Sequence, residues 1–146
     1  MNNYRNLLWV VIVLTTSCGK ADLVFEEEIA SYGKEKGYLF TDTLGVYVYF
    51  QDMGEEEKPV QTQTITFDYT AKYLDDAVFD ASPADAPVKI VLSTAIPGLR
   101  KGLALFGRKG KGVIVIPPGE AYGNNAPFGV REGEVLVYEV RVEDFY

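Results

Sequence analysis

From Gln61 to Leu74 the chain alternates: Ile65, Phe67, Tyr69, Ala71 and Tyr73 fall on one side, and Thr66, Asp68, Thr70 and Lys72 on the other. Successive side chains of a β-strand point to opposite faces, so this pattern fits a long half-buried strand and no helix. The same period recurs in Val46, Val48 and Phe50 against Tyr47, Tyr49 and Gln51. It recurs again in Val88, Ile90 and Leu92, and in Leu136, Tyr138, Val140 and Val142 against Val137, Glu139, Arg141 and Glu143, and Gly112–Ile116 makes a further strand. Between the strands one short helix is predicted. Pro97 suits a first helical turn through its fixed φ, Leu99 and Leu103 face the same way, and Gly107 closes the segment. The expectation is α+β, a curved antiparallel β-sheet wrapped around one short α-helix.

The 146 residues suffice for one domain with a core and not for two comfortable ones. Residues 1–17 read as an export signal: Arg5 gives a positive start, Leu7–Leu14 is apolar but shorter than the ~20 residues a bilayer span needs, and small polar residues follow. Leu14-Thr15-Thr16-Ser17-Cys18 resembles a lipobox, with Cys18 as the lipidated residue; the alternative is a plain secretory signal with an incidental cysteine. Such an anchor places the protein in the cell envelope, with Gly19 after the cysteine pointing to the outer membrane, on its periplasmic or surface face. Residues 18–42 are expected as a tether with a short helix, capped by Asp22, presenting Phe25, Ile29 and Tyr32 on one side and stopped by Gly33 and Gly37. Residues 43–146 form the domain proper.

Several function classes fall away on inventory. With 0 His and 1 Cys there is no Ser-His-Asp triad, Cys-His dyad or ordinary zinc site. A formal net charge of -7 gives no footprint for nucleic acid. Gly102 to Gly107 has the glycine spacing of a phosphate-binding loop, but Arg108-Lys109 stands where Lys then Ser or Thr is required. What remains is a set of aromatic and acidic residues whose spacing would line one small apolar pocket: Tyr69, Phe79-Asp80, Ile96-Pro97-Gly98, Ala121-Tyr122-Gly123 and Tyr138. A pocket without a nucleophile acts through binding and solvation.

The order of these motifs resembles the FKBP-type peptidyl-prolyl cis-trans isomerases from Val46 to Phe145. The matching segments are Phe67-Asp68-Tyr69-Thr70, Val78-Phe79-Asp80-Ala81-Ser82, Ile96-Pro97-Gly98-Leu99, Ile116-Pro117-Pro118 with Ala121-Tyr122-Gly123, and Leu136-Val137-Tyr138-Glu139-Val140. With its signal and its Gly-Val-Tyr-Val-Tyr first strand, the chain is similar to membrane-attached, lipoprotein members from the Bacteroidetes group. The resemblance implies a prolyl isomerase for exported proteins, needing no cofactor or metal, tethered through Cys18 and working as a monomer. It assigns Tyr69, Phe79, Asp80, Ile96, Tyr122 and Tyr138 to catalysis, and Val88, Ile90, Leu99, Phe128 and Val130 to substrate binding. The family's usual floor Trp is Leu99 here, its two following strand aromatics are Val88 and Ile90, and its Ile-Pro-Pro element reads Val130-Arg131-Glu132. These departures keep a second reading open, a tethered chaperone or peptide-binding module with little catalysis, and a third, a structural part of an envelope machine.

Overall fold

Strand-strand pairing in the computed structural model, which describes residues 20–146 and side chains from Val24 onward, joins seven strands into one curved antiparallel sheet. The proposed signal 1–17 and Cys18 lie outside the described residues. In chain order the elements are α1 (Lys20–Lys36), β1 (Thr41–Thr43), β2 (Val46–Asp52), β3 (Thr64–Tyr73), β4 (Val78–Ala81), β5 (Val88–Val91), α2 (Pro97–Leu103), β6 (Lys111–Ile116) and β7 (Leu136–Phe145). The strand order is β1-β2-β6-β7-β3-β4, and β5 also pairs with β3. β3 is thus central. It takes β7 along one edge, and β5 and then β4 along the other.

The strand expected from Gln61 starts at Thr64 instead, because residues 60–63 turn: Gln63 N–H donates to Val60 O and Val60 N–H to the Gln63 side chain. β1 and β4 were not foreseen. β4 is short and pairs irregularly, Asp80 lying opposite Ala71 and Val78 opposite Lys72, so that Phe79 is the extra residue of a bulge. Bulges re-aim side chains and are frequent beside active sites.

The inner face of the sheet closes on α2. Leu99 and Leu103 are buried there with Val48, Ile114, Ile116 and Tyr138. Two glycines permit this close approach, since a Cβ on Gly98 would stand 2.3 Å from Ile116 Cγ2 and one on Gly102 2.5 Å from Ile114 Cγ2.

The outer face is covered in part by α1, a 17-residue helix docked on the sheet where a tether with a short helix was expected. Ile29 and Tyr32 bury against Val113, Val115, Val135 and Val137, so Val137, expected on the polar side of the last strand, is fully buried. Asp22 lies inside α1 and not at its start, and Gly33 does not stop it. A Cβ at Gly33 would meet the Phe40 ring at 2.9 Å, so this glycine serves close packing. Termination falls to Gly37 at φ +74°, with Tyr38 N–H donating to Gly33 O at 2.8 Å and the Tyr32 and Tyr38 rings in edge contact, the Schellman arrangement.

Charge pins α1 to the β3–β4 turn. Lys36 pairs with Asp76, and Lys72 bridges Asp76 (3.0 Å) and Glu139 (2.6 Å). Hydrogen bonds from Lys36 and then Lys72 hold the Asp76 carboxyl down at about 2, against an ordinary value of 3.8. A depressed carboxyl stabilises the fold above its unfolded value and loses that contribution as pH falls through the folded one. Exchange protection of the α1 amides, measured by mass spectrometry and corrected for intrinsic rates, should therefore decline relative to β6 between about pH 4 and pH 2. Parallel behaviour of α1 and β6 across that window would contradict the assignment.

Candidate active site

Neighbouring strands bring the inner-face aromatics together. Tyr69 on β3 has its ring 5.5 Å from Phe67 and 5.8 Å from Tyr138 on β7. Phe79, aimed by the β4 bulge, meets Tyr138 edge-on at 6.3 Å and lies 4.7 Å from Tyr73. The Tyr69 hydroxyl donates to Asp80 Oδ2 at 2.6 Å, and Asp80 Oδ1 accepts the Ala81 N–H at 2.9 Å, so the exposed carboxylate is fixed by both oxygens. Ser82 secures the same segment: its N–H donates to Tyr69 O at 2.9 Å, and its Oγ accepts the Tyr69 N–H at 3.1 Å.

Half-buried side chains surround this cluster. Ile96, Tyr122, Val88 and Ile90 all pack against the core that contains Tyr138 and Leu99, which is 7% exposed. Ile96 sits just before α2, where it accepts the Arg100 N–H at 3.0 Å, and its own N–H has no acceptor among the described residues. Tyr122 follows the short turn Pro118–Glu120 and opens a loop whose ends are tied by Gly133 N–H to Gly123 O at 3.0 Å. Phe128 and Val130 stand apart from the cluster. Phe128 is fully exposed on that loop, and Val130 is half-buried without packing on the inner core.

The inner site is dry enough to change acid-base behaviour. Burial raises the Tyr138 hydroxyl above its ordinary value near 10, helped by Tyr122, Tyr69 and Asp80, which also places those groups around it. Burial likewise raises Tyr69, with its bond to Asp80 acting in the same direction. Both hydroxyls stay protonated donors at any physiological pH.

A separate groove of about 1000 Å³ opens on the outer face, bordered by Tyr38, Tyr49, Pro83 and Lys111 and floored by the 2.8 Å ion pair of Asp68 with Arg141. Of the residues expected to carry function, Tyr69 alone borders it. Its lining carries the charged side chains of Lys111, Glu139 and Glu143 besides that ion pair, so it is poorly suited to desolvating an amide.

Residues 55–143 match the family model for FKBP-type peptidyl-prolyl cis-trans isomerases. The chain belongs to that family. Among similar FKBP-type proteins is the isomerase FkpA of Escherichia coli K12, 32% identical over 114 residues, or 77% of this chain and 42% of the relative. The Outer membrane protein MIP of Legionella longbeachae is 27% identical over 77% of the chain and 49% of its own length. The chain thus spans under half of each of these relatives. The crystal structure of Escherichia coli FkpA superposes with a TM-score of 0.75 at 29% identity, covering 86% of this chain and 59% of that one. A Pseudomonas syringae isomerase structure, at 21% identity and TM-score 0.70 over 89% of this chain and 98% of its own, shares the fold.

Within this FKBP-type domain, sequence reasoning placed Tyr73 on the inner face but not beside the site, and took Arg131 as a bare departure from the pattern. The signal for Tyr73 was present: it is the next aromatic after Tyr69 on the same side of β3. Ring-selective NMR titration tests the dryness of the inner-face cluster. The Tyr69 and Tyr138 resonances should hold still as pH passes 10, the ordinary value of a tyrosine hydroxyl. Ionisation of Tyr138 at or below that pH would show a wet site.

Proposed function

We propose that the inner-face site accelerates rotation about X-Pro bonds in exported proteins. The carrying observation is the aromatic cluster of half-buried Tyr69, Phe79 and Tyr122 with buried Tyr138, a fixed carboxylate at its rim and, among the described residues, an unused N–H at Ile96. Amide resonance sets a barrier of ~18–20 kcal/mol to rotation. At the top of that barrier resonance is lost, the nitrogen is pyramidal, and the amide is less charge-separated than in either planar isomer. An apolar enclosure that excludes water disfavours the planar forms relative to the twisted one, which is differential binding of the transition state.

In this reading Phe79, Tyr69, Tyr138 and Ile96 wall the prolyl ring, Leu99 forms the floor, and Val88 and Ile90 extend the apolar side. Ile96 N–H and the Tyr122 hydroxyl hold peptide carbonyls on either side of the rotating bond. Asp80 orients the Tyr69 hydroxyl. No proton is transferred, and no cofactor or metal takes part. Phe128 and Val130, on the loop after Tyr122, meet the chain flanking the proline and not the ring itself.

We further propose that residues 1–17 are a lipoprotein signal, that Cys18 carries the lipid, and that residues 18–42 link this anchor to the 43–146 domain. The protein then works as a monomer at the outer membrane, in keeping with its resemblance to the membrane-attached Bacteroidetes lipoproteins. The name of the Legionella relative, an outer membrane protein, supports an envelope location. Among the described residues no helix is long and apolar enough to cross a membrane.

A protease-coupled assay on a proline tetrapeptide tests the catalytic reading. The parent should accelerate isomerisation, and Phe79→Ala should lower kcat/KM at least about tenfold, the equivalent of ~1.4 kcal/mol of lost transition-state binding. No acceleration by the parent, or equal rates for parent and variant, would defeat it.

A further inference from the structure

The loop that follows Tyr122 is held to the rest of the domain at one place. Among the described residues of 124–134, every hydrogen bond or ion pair to another element comes from Arg131. Its backbone N–H donates to the Tyr73 hydroxyl at 2.8 Å. Its guanidinium lies over the Tyr73 ring, 4.3 Å from the centroid, and Nη1 reaches Asp75 Oδ2 at 2.8 Å. Tyr73 is itself 3% exposed at the end of β3, with its ring 4.7 Å from Phe79. One buried tyrosine therefore touches both a wall of the proposed site and the loop opposite.

Geometry makes the contact selective. A planar cation stacks on an aromatic face while its N–H groups still reach a carboxylate, which a lysine ammonium does less well. The backbone bond fixes the loop, and the Asp75 bond holds the guanidinium stacked on the tyrosine ring.

We infer that Tyr73 and Arg131 form a positioning pair that latches the 121–134 loop, and with it Tyr122, against the Phe79 side of the site, and so sets how tightly a prolyl peptide is held. Neither residue touches the rotating bond. The inference rests on the isomerase reading above, because it assigns that site its means of holding substrate.

The pair acts on binding and not on the apolar enclosure, so its loss separates KM from kcat. Tyr73→Phe keeps the ring beside Phe79 and removes only the acceptor; Arg131→Ala removes the stack and the Asp75 bond; Arg131→Lys keeps the charge. In the full-length protein, steady-state isomerisation of a proline tetrapeptide and hydrogen exchange of the 123–134 amides are measured for each. Tyr73→Phe should raise KM about three- to tenfold, the size expected for one ordinary hydrogen bond, with kcat within about twofold and loop protection reduced. Arg131→Ala should do the same, and Arg131→Lys should fall between it and the parent. An active parent whose Tyr73→Phe variant keeps parental KM and loop protection overturns the latch alone, as does a variant in which kcat falls and KM holds. A parent without isomerase activity overturns the reading beneath it, and the latch as a substrate-holding device falls with it.

Discussion

Pairing of β3 with a bulged β4 is the constraint from which the proposed site follows. Regular pairing would have turned Phe79 away from its neighbours, since a shift of one residue moves a strand side chain to the opposite face. The bulge places Phe79 over the ring of Tyr138 while leaving Asp80 within reach of the Tyr69 hydroxyl. β7, paired along the whole of β3, supplies Tyr138 at a fixed register opposite Ala71. A small residue at that position leaves room for the larger ring. Three strands thus determine the aromatic cluster, and α2, seated tightly through Gly98 and Gly102, closes its floor with Leu99.

The two faces of the sheet divide the physical work. The inner face is apolar, and its polar groups are hydroxyls, backbone groups and, at the rim, the Asp80 carboxylate tied to the Tyr69 hydroxyl. Such a surface would lower the local dielectric around a bound amide, with its one charge kept to the edge. The outer face carries ion pairs and the docked helix α1. Lys72 shows how the two are kept apart: its neighbours alternate inward along β3, while its ammonium is held outside between Asp76 and Glu139. Burial, which would lower the Lys72 pKa, is outweighed by its hydrogen bonds to those carboxylates, and it stays charged.

Period-2 alternation made β2, β3, β5 and β7 legible, and Pro97 with the Leu99–Leu103 spacing marked α2. β4 was not legible as a strand because four residues with a bulge carry no period. The outer-face core was missed for a different reason: Val137 read as the far side of a half-buried strand, and only the position of α1 shows that it and Val113 and Val115 are covered. The amphipathic trio Phe25, Ile29 and Tyr32 hinted at this, yet no local signal said which surface it would meet. Within the site, the residues brought together lie on strands, at the start of α2 or, for Tyr122, just after the turn Pro118–Glu120. Phe128 and Val130 sit on a loop whose course depends on one distant hydroxyl, that of Tyr73, and pattern alone carries no information about such a contact.

In the proposed function the apolar inner face, and not the charged groove outside it, takes the prolyl peptide. Two-dimensional NMR on labelled protein with a proline tetrapeptide tests it most directly, since it reports both the place of binding and the exchange between isomers. Shifts should concentrate on Tyr69, Phe79, Ile96, Tyr122 and Tyr138, with cis-trans exchange peaks appearing in the peptide. Shifts confined to Tyr38, Tyr49 and Lys111, with no exchange peaks, would contradict it.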